Sequence, residues 1–135
     1  MTELTVSVVA VDRNVWSGAA KALVAKTPEG EIGILLGHEP VLSLLVNGVV
    51  RVTAVDGSKV FVAVHGGFLA VDNNKVRVLA EVAELAGDID VARAQRALET
   101  ASASGLDSAE TLAAIHRAET RLQAAAAAAA VTLHS

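Results

Sequence analysis

The sequence predicts an all-β N-terminal sandwich of about ten strands followed by a C-terminal two-helix antiparallel hairpin. Three observations carry this. Up to about residue 80, short aliphatic and β-branched runs recur at close spacing, with Gly, Asn and Asp between them. After Ala80 the β-branched residues thin out, and Ala, Glu and Arg take over. In that second part apolar residues fall twice at helical spacing, on either side of Ser102-Ala103-Ser104-Gly105. Residues 1–86 are therefore expected to form the sandwich and residues 87–135 the helical hairpin.

Leu4–Val11 alternates, with Leu4, Val6, Val8 and Ala10 on one side, which is strand periodicity. Asp12-Arg13-Asn14 is a turn. Val15–Ala25 reads as one bent strand or two short ones broken near Ser17-Gly18. Thr27-Pro28-Glu29-Gly30 is a turn signal, and Gly30–Pro40 follows, with glycines at 30, 33 and 37 that favour sharp bends or close packing. Val41–Leu45 is a short apolar piece closed by Asn47-Gly48, a hairpin-turn dipeptide. Val49–Val55 and Lys59–Val64 pair across Asp56-Gly57-Ser58, and Phe68–Val71 and Val76–Ala80 pair across Asp72–Lys75.

Gly87-Asp88 ends the sandwich, with Asp88 the expected N-cap and Asp90 favouring the positive helix start. Val91, Ala94, Leu98 and Ala101 form one helical stripe. Asp107 with Glu110 three residues later reads as a capping-box variant, and Ile115, Ala118, Leu122 and Ala125 form a second stripe. Two helices of about 14–20 residues result. Their stripes are mostly Ala, and a buried methyl contributes only about 0.8 kcal/mol. The hairpin is thus expected to be thinly held. The Ala124–Ala130 run signals helix propensity.

Apolar residues make up 53% of the chain of 135, so a core is available, yet the aromatics are only Trp16, Phe61 and Phe68. The core must be aliphatic. A formal net charge of −4 argues against nucleic acid or an anionic lipid surface as a partner, since both select basic patches. The absence of cysteine excludes disulfides and thiolate metal sites. The N-terminus lacks the basic and apolar regions of a signal peptide, and no run of about 20 apolar residues would span a bilayer.

No nucleophile elbow or paired carboxylate constellation is visible, so the chain reads as non-catalytic by itself. The histidines 38, 65, 116 and 134 show no metal-ligand spacing; a cluster of His38, Glu39 and His65 is conceivable, and a His38 that satisfies backbone groups in its Gly-rich segment is the plainer reading. The Gly30–Pro40 segment lacks the Lys and following helix of a phosphate loop. Ile89–Ala94 is explained on its residues alone by a capped helix start with an Asp–Arg pair.

Three motifs occur in order: Glu31–Pro40 (EIGILLGHEP), Gly66–Val71 (GGFLAV) and Ile89–Ala94 (IDVARA). Together they resemble the epsilon subunit of bacterial F-type ATP synthases, over about residues 3–123. Leu36 stands where that family usually has Pro, and Val11–Gly18 is similar to actinobacterial members. The resemblance implies a non-catalytic central-stalk subunit that couples proton translocation to ATP synthesis and inhibits ATP hydrolysis. It implies binding to the gamma subunit and the c ring, with alpha and beta reached when the hairpin extends. It also implies a peripheral place on the cytoplasmic side of the plasma membrane.

Residue by residue, the resemblance makes Glu31 an acidic contact to the c ring and puts His38 near gamma. It assigns Glu84, Ile89, Asp90, Arg93, Ala94, Arg117 and Arg121 to an ATP site on the folded hairpin, with ATP a regulatory ligand and no cofactor or metal required. Arg117 and Arg121 lie at i,i+4 and so point the same way, and Arg93 is placed to face them. Three converging guanidiniums suit a polyphosphate. The alternative is a free-standing ATP-sensing module without a rotary partner; a small hydrolase would need a nucleophile the sequence does not offer.

Overall fold

The computed structural model describes residues 3–103 and 108–134, the last four by backbone alone. Seven strands come first: β1 (Leu4–Ala10), β2 (Arg13–Thr27), β3 (Gly30–Leu35), β4 (Val41–Leu45), β5 (Gly48–Ala54), β6 (Lys59–Asp72) and β7 (Lys75–Leu85). A 3-10 turn at Ala86–Asp88 leads to helices α1 (Val91–Ala103) and α2 (Ala109–His134).

The sandwich-plus-hairpin class holds, with seven strands rather than about ten. The difference lies in β2 and β6, which bend and continue where the sequence suggests breaks; β7 also runs on to Leu85, past the Ala80 at which its strand pattern is expected to end. Residues 13–20 of β2 pair with β1, and residues 22–27 pair with β3. Residues 59–64 of β6 pair with β5, and residues 67–71 pair with β4. The path β1-β7-β6-β5-β2 closes because β1 pairs with β2 as well as in parallel with β7. Long strands thus belong to both layers, which leaves few free edges.

Gly67 makes the corner in β6. Its φ is +138°, and a Cβ there would lie 2.1 Å from the carbonyl oxygen of Leu79, so no larger residue fits. The β6–β7 hairpin turns on Asn73 and Asn74, both at positive φ (49° and 62°), as a two-residue type I′ turn requires. Asn47-Gly48 is not a hairpin turn. β4 pairs with β6, and β5 pairs with β2 and β6, so this dipeptide carries the chain between neighbours that are not each other's partners. Gly48 is buried there, its would-be Cβ 3.0 Å from the Cβ of Lys26.

Alternation along the strands divides the core. Leu4, Val6, Val8, Leu23, Ile34, Val52, Val62, Val64, Leu69, Val76 and Val78 fill the space between the layers. The opposite face of β6 carries Phe61 and Ala63, which pack with Ala86 and Ala124 in a second cluster bordered by Val49, Ile89, Ala127 and Ala128. The alanine run therefore has a packing role: small side chains seat α2 on the sheet, and little area is buried in doing so.

The helix starts differ from expectation. Asp90, not Asp88, caps α1: the Arg93 N–H donates to Asp90 Oδ1 at 3.0 Å, while Asp88 lies in the 3-10 turn. Ser102 and Ala103 remain helical. Asp107 lies outside the described residues, and Ser108 caps α2 by accepting the Thr111 N–H at 3.0 Å. α2 has 26 residues, longer than its pattern predicts. Ala94 and Ala118 of the two stripes are buried, with Leu98, Ile115 and Leu122 half-buried and Val91 exposed.

Candidate functional site at the hairpin–sandwich junction

β6 and β7 run antiparallel, with His65 opposite Val82 and Ala63 opposite Glu84. Period-two alternation puts Phe61, Ala63 and His65 on the face that α2 covers. Glu84 projects from β7 on the same face and meets α2. The Arg121 Nε–H donates to Glu84 Oε1 at 2.6 Å, and His65 Nε2 lies 3.3 Å from the same oxygen. A carboxylate only accepts, so Nε2 carries the hydrogen and donates it. His65 Nδ1 is buried without a hydrogen-bond partner.

The charges respond to this packing. Burial lowers the pKa of His65 below 6.5; the hydrogen bond to Glu84 opposes that, and the charges of Arg121 and Arg117 add to it. Burial pushes the Glu84 carboxyl up, but the hydrogen bond and charge of Arg121, with help from His65, outweigh it and hold Glu84 below 4.5. The junction is thus a neutral imidazole beside an ionised carboxylate clamped by a guanidinium.

Five of the seven residues assigned to a nucleotide site line one cleft of about 370 Å³ here: Glu84, Asp90, Arg93, Ala94 and Arg121, joined by Asp88 and Ala97. Ile89 lies beneath it, packed on the Phe61–Ala124 cluster. Arg117 does not line the cleft. Arg93 is exposed on the rim and also borders a larger groove of about 680 Å³ between the helices, beside Arg96. Arg121 is engaged by Glu84, so it reaches an incoming phosphate only by sharing or leaving that carboxylate.

Glu31 and His38 are not brought together. Glu31 is on β3, and makes an exposed 3.4 Å pair with Arg51. His38 lies beyond the other end of the strand, past about 13 Å of extended chain. Its Nδ1 is 2.7 Å from the Glu39 carbonyl, and its backbone N–H donates to Leu35. Among the described residues no group of three or more His, Asp or Glu is arranged to hold a metal ion, and the His38–Glu39–His65 cluster does not form.

The outer face of the β4-β6-β7-β1 layer carries an apolar row. Leu44 pairs with Phe68, Phe68 with Leu79, and Leu79 with Val9. Leu44, Phe68 and Leu79 are 56%, 48% and 50% exposed, and Leu42 flanks them.

A family model described as the ATP synthase, Delta/Epsilon chain, beta-sandwich domain matches residues 3–86. The chain is 50% identical over 124 residues to the ATP synthase epsilon chain of Streptomyces coelicolor, covering 92% of this chain and 96% of that one. The chain belongs to the ATP synthase epsilon chain family. The epsilon chain of Rhodococcus jostii is likewise 50% identical over 125 residues, covering 92% and 97%. Among solved structures, a chain of the Euglena gracilis mitochondrial ATP synthase (OSCP/F1/c-ring, rotational state 1) superposes with a TM-score of 0.72 at 25% identity, covering 98% of this chain and 82% of that one. A chain of the Tetrahymena thermophila mitochondrial ATP synthase central stalk and c ring matches in fold, with a TM-score of 0.61 at 15% identity. Epsilon-family membership fits a chain whose conspicuous surfaces are a helix–sheet junction and an apolar sheet face.

The sequence offers His65 only as part of a conceivable cluster with His38 and Glu39; its place beneath α2 beside Glu84, and the apolar row, are what sequence reading missed. The alternation of Phe61, Ala63 and His65 against Val62 and Val64 was the available signal for His65. For the row, the signal would have been strand pairing, which is not local.

Proposed function

We propose that the chain is the epsilon subunit of the central stalk of a proton-transporting rotary ATP synthase, coupling proton translocation to ATP synthesis and restraining ATP hydrolysis. It is a non-catalytic subunit of that membrane-associated complex, and no helix among its described residues is long and apolar enough to cross a membrane. In this reading residues 1–86 bind gamma and the c ring on the cytoplasmic side of the plasma membrane. Residues 87–135 regulate, docked on the sandwich when permissive and extended toward alpha and beta when inhibiting. ATP bound by Arg93, Asp90 and the neighbouring cleft residues would favour the docked hairpin. Glu31 would face the c ring, and His38 would lie near gamma.

The observation that carries the partner reading is the row Leu44–Phe68–Leu79–Val9, since an apolar strip laid across four strands of one face marks a protein contact. A free-standing ATP sensor has no use for such a face. The test is reconstitution with gamma. Phe68→Glu puts a charge in the middle of the row without touching the interior, and should abolish co-elution with gamma while leaving the circular dichroism spectrum and melting temperature close to wild type. A folded Phe68→Glu chain that still binds gamma at wild-type strength would remove this face from the contact.

A further inference from the structure

We infer that His65 makes release of the hairpin from the sandwich proton-linked, so that acid opens it. This rests on the hairpin being a movable unit, as in the reading above. Docked, His65 is 5% exposed beneath α2. Its Nε2–H is used on Glu84, and Nδ1 is sealed without an acceptor. Adding a proton to Nδ1 would create a buried donor with nothing to bond. It would also place a third positive charge in the cluster. The groups facing the imidazole are Glu84 from β7 and Arg117 and Arg121 from α2; on this face β6 adds only Phe61 and Ala63. One carboxylate, already clamped by Arg121, faces two guanidiniums.

When α2 leaves, this face of β6 opens to water and both ring nitrogens can be solvated. The proton therefore binds the released state better than the docked one, and by linkage the docked state loses ground as pH falls. The sign follows from a docked-state pKa held below 6.5, mainly by burial. Docking is strongest above about pH 6.5 and weakens below it, by at most tenfold per pH unit for a single proton. Glu84 acts in the same direction, but only as pH falls below about 4.5, where the released carboxyl takes up a proton that the docked one, held lower by Arg121, still resists. The window between pH 7.5 and 5.5 lies above the Glu84 range, and comparison with His65→Gln separates His65 from His38, His116 and His134.

The chain has no cysteine, so labels can be placed at will. In the full-length chain, Glu29→Cys on the sandwich and Glu119→Cys on α2 are both exposed and outside the cluster. Spin labels there report docked and released populations. The ratio of released to docked chain should rise several-fold between pH 7.5 and 5.5 in the otherwise wild-type chain, and stay flat in His65→Gln, which cannot take up a proton. The His65 imidazole resonance, followed in the unlabelled wild type, should titrate with a midpoint below 6.5. A wild-type ratio that does not change with pH, an equal change in His65→Gln, or a His65 midpoint at or above 6.5 would each overturn the proposal. Failure of the epsilon reading would read out separately, as a chain that still opens in acid but does not bind gamma.

Discussion

Removing the Arg121 side chain should loosen the hairpin without unfolding the sandwich. Arg121 joins α2 to β7 through one 2.6 Å bond to Glu84, with the two side chains 27% and 25% exposed. A charge-assisted hydrogen bond contributes roughly 1.5–3 kcal/mol. Partial exposure screens the pair, and the competing His65 donor keeps Glu84 from being stranded, so the lower end applies. A loss of about 1.5 kcal/mol is about a tenfold increase in the released-to-docked ratio. The Glu29/Glu119 label pair reads that ratio directly at pH 7.5, where His65 is neutral. Adding Glu84→Gln tests the pairing itself: the double variant should be less released than the sum of the two single effects predicts, because each single change removes the same bond. An Arg121→Ala ratio within about twofold of wild type, or strict additivity in the cycle, would show that the bond does not hold the hairpin.

Arg93→Ala should weaken ATP binding by about 10- to 100-fold, the loss of one charged phosphate contact. The α1 cap survives this change because it uses the backbone N–H of residue 93. Arg117→Ala should do less, since it lies outside the cleft, and Arg121→Ala should do less because Glu84 already occupies that guanidinium. Calorimetric titration checks all three, and no heat from the wild-type chain at millimolar ATP would refute the nucleotide site. Gly67→Ala should lower the melting temperature by about 10 °C or more, from the 2.1 Å clash at positive φ. Gly33→Ala, which meets open space, should change it by only a few degrees, and equal melting of the two variants would refute the corner argument.

Local chemistry made much of the fold legible. The Asp72–Lys75 turn, the Asp56–Ser58 turn and the alternation of β1 are encoded within a few residues, and each forms where expected. Strand continuity was not legible, because Gly66-Gly67 spells a break locally while the paired strands on both sides carry β6 through it. Asn47-Gly48 misled for a related reason: a turn dipeptide reports local freedom, not which strands pair. The acidic residues before α1 were seen, but the choice of Asp90 over Asp88 depends on a 3-10 turn that consumes Asp88. Most of the cleft followed from the family motif. That Arg121 would be held by Glu84, 37 residues away, depends on how α2 seats on β6 and β7, and the alanine run sets that seating.

Co-purification tests the central claim most directly. The full-length chain, tagged and expressed in its native membranes, should be recovered after mild detergent extraction with gamma, the c ring and the alpha and beta subunits in one assembly. The Phe68→Glu chain should be recovered free. Recovery of the wild-type chain free in the soluble fraction, with none of those subunits attached, would contradict the account.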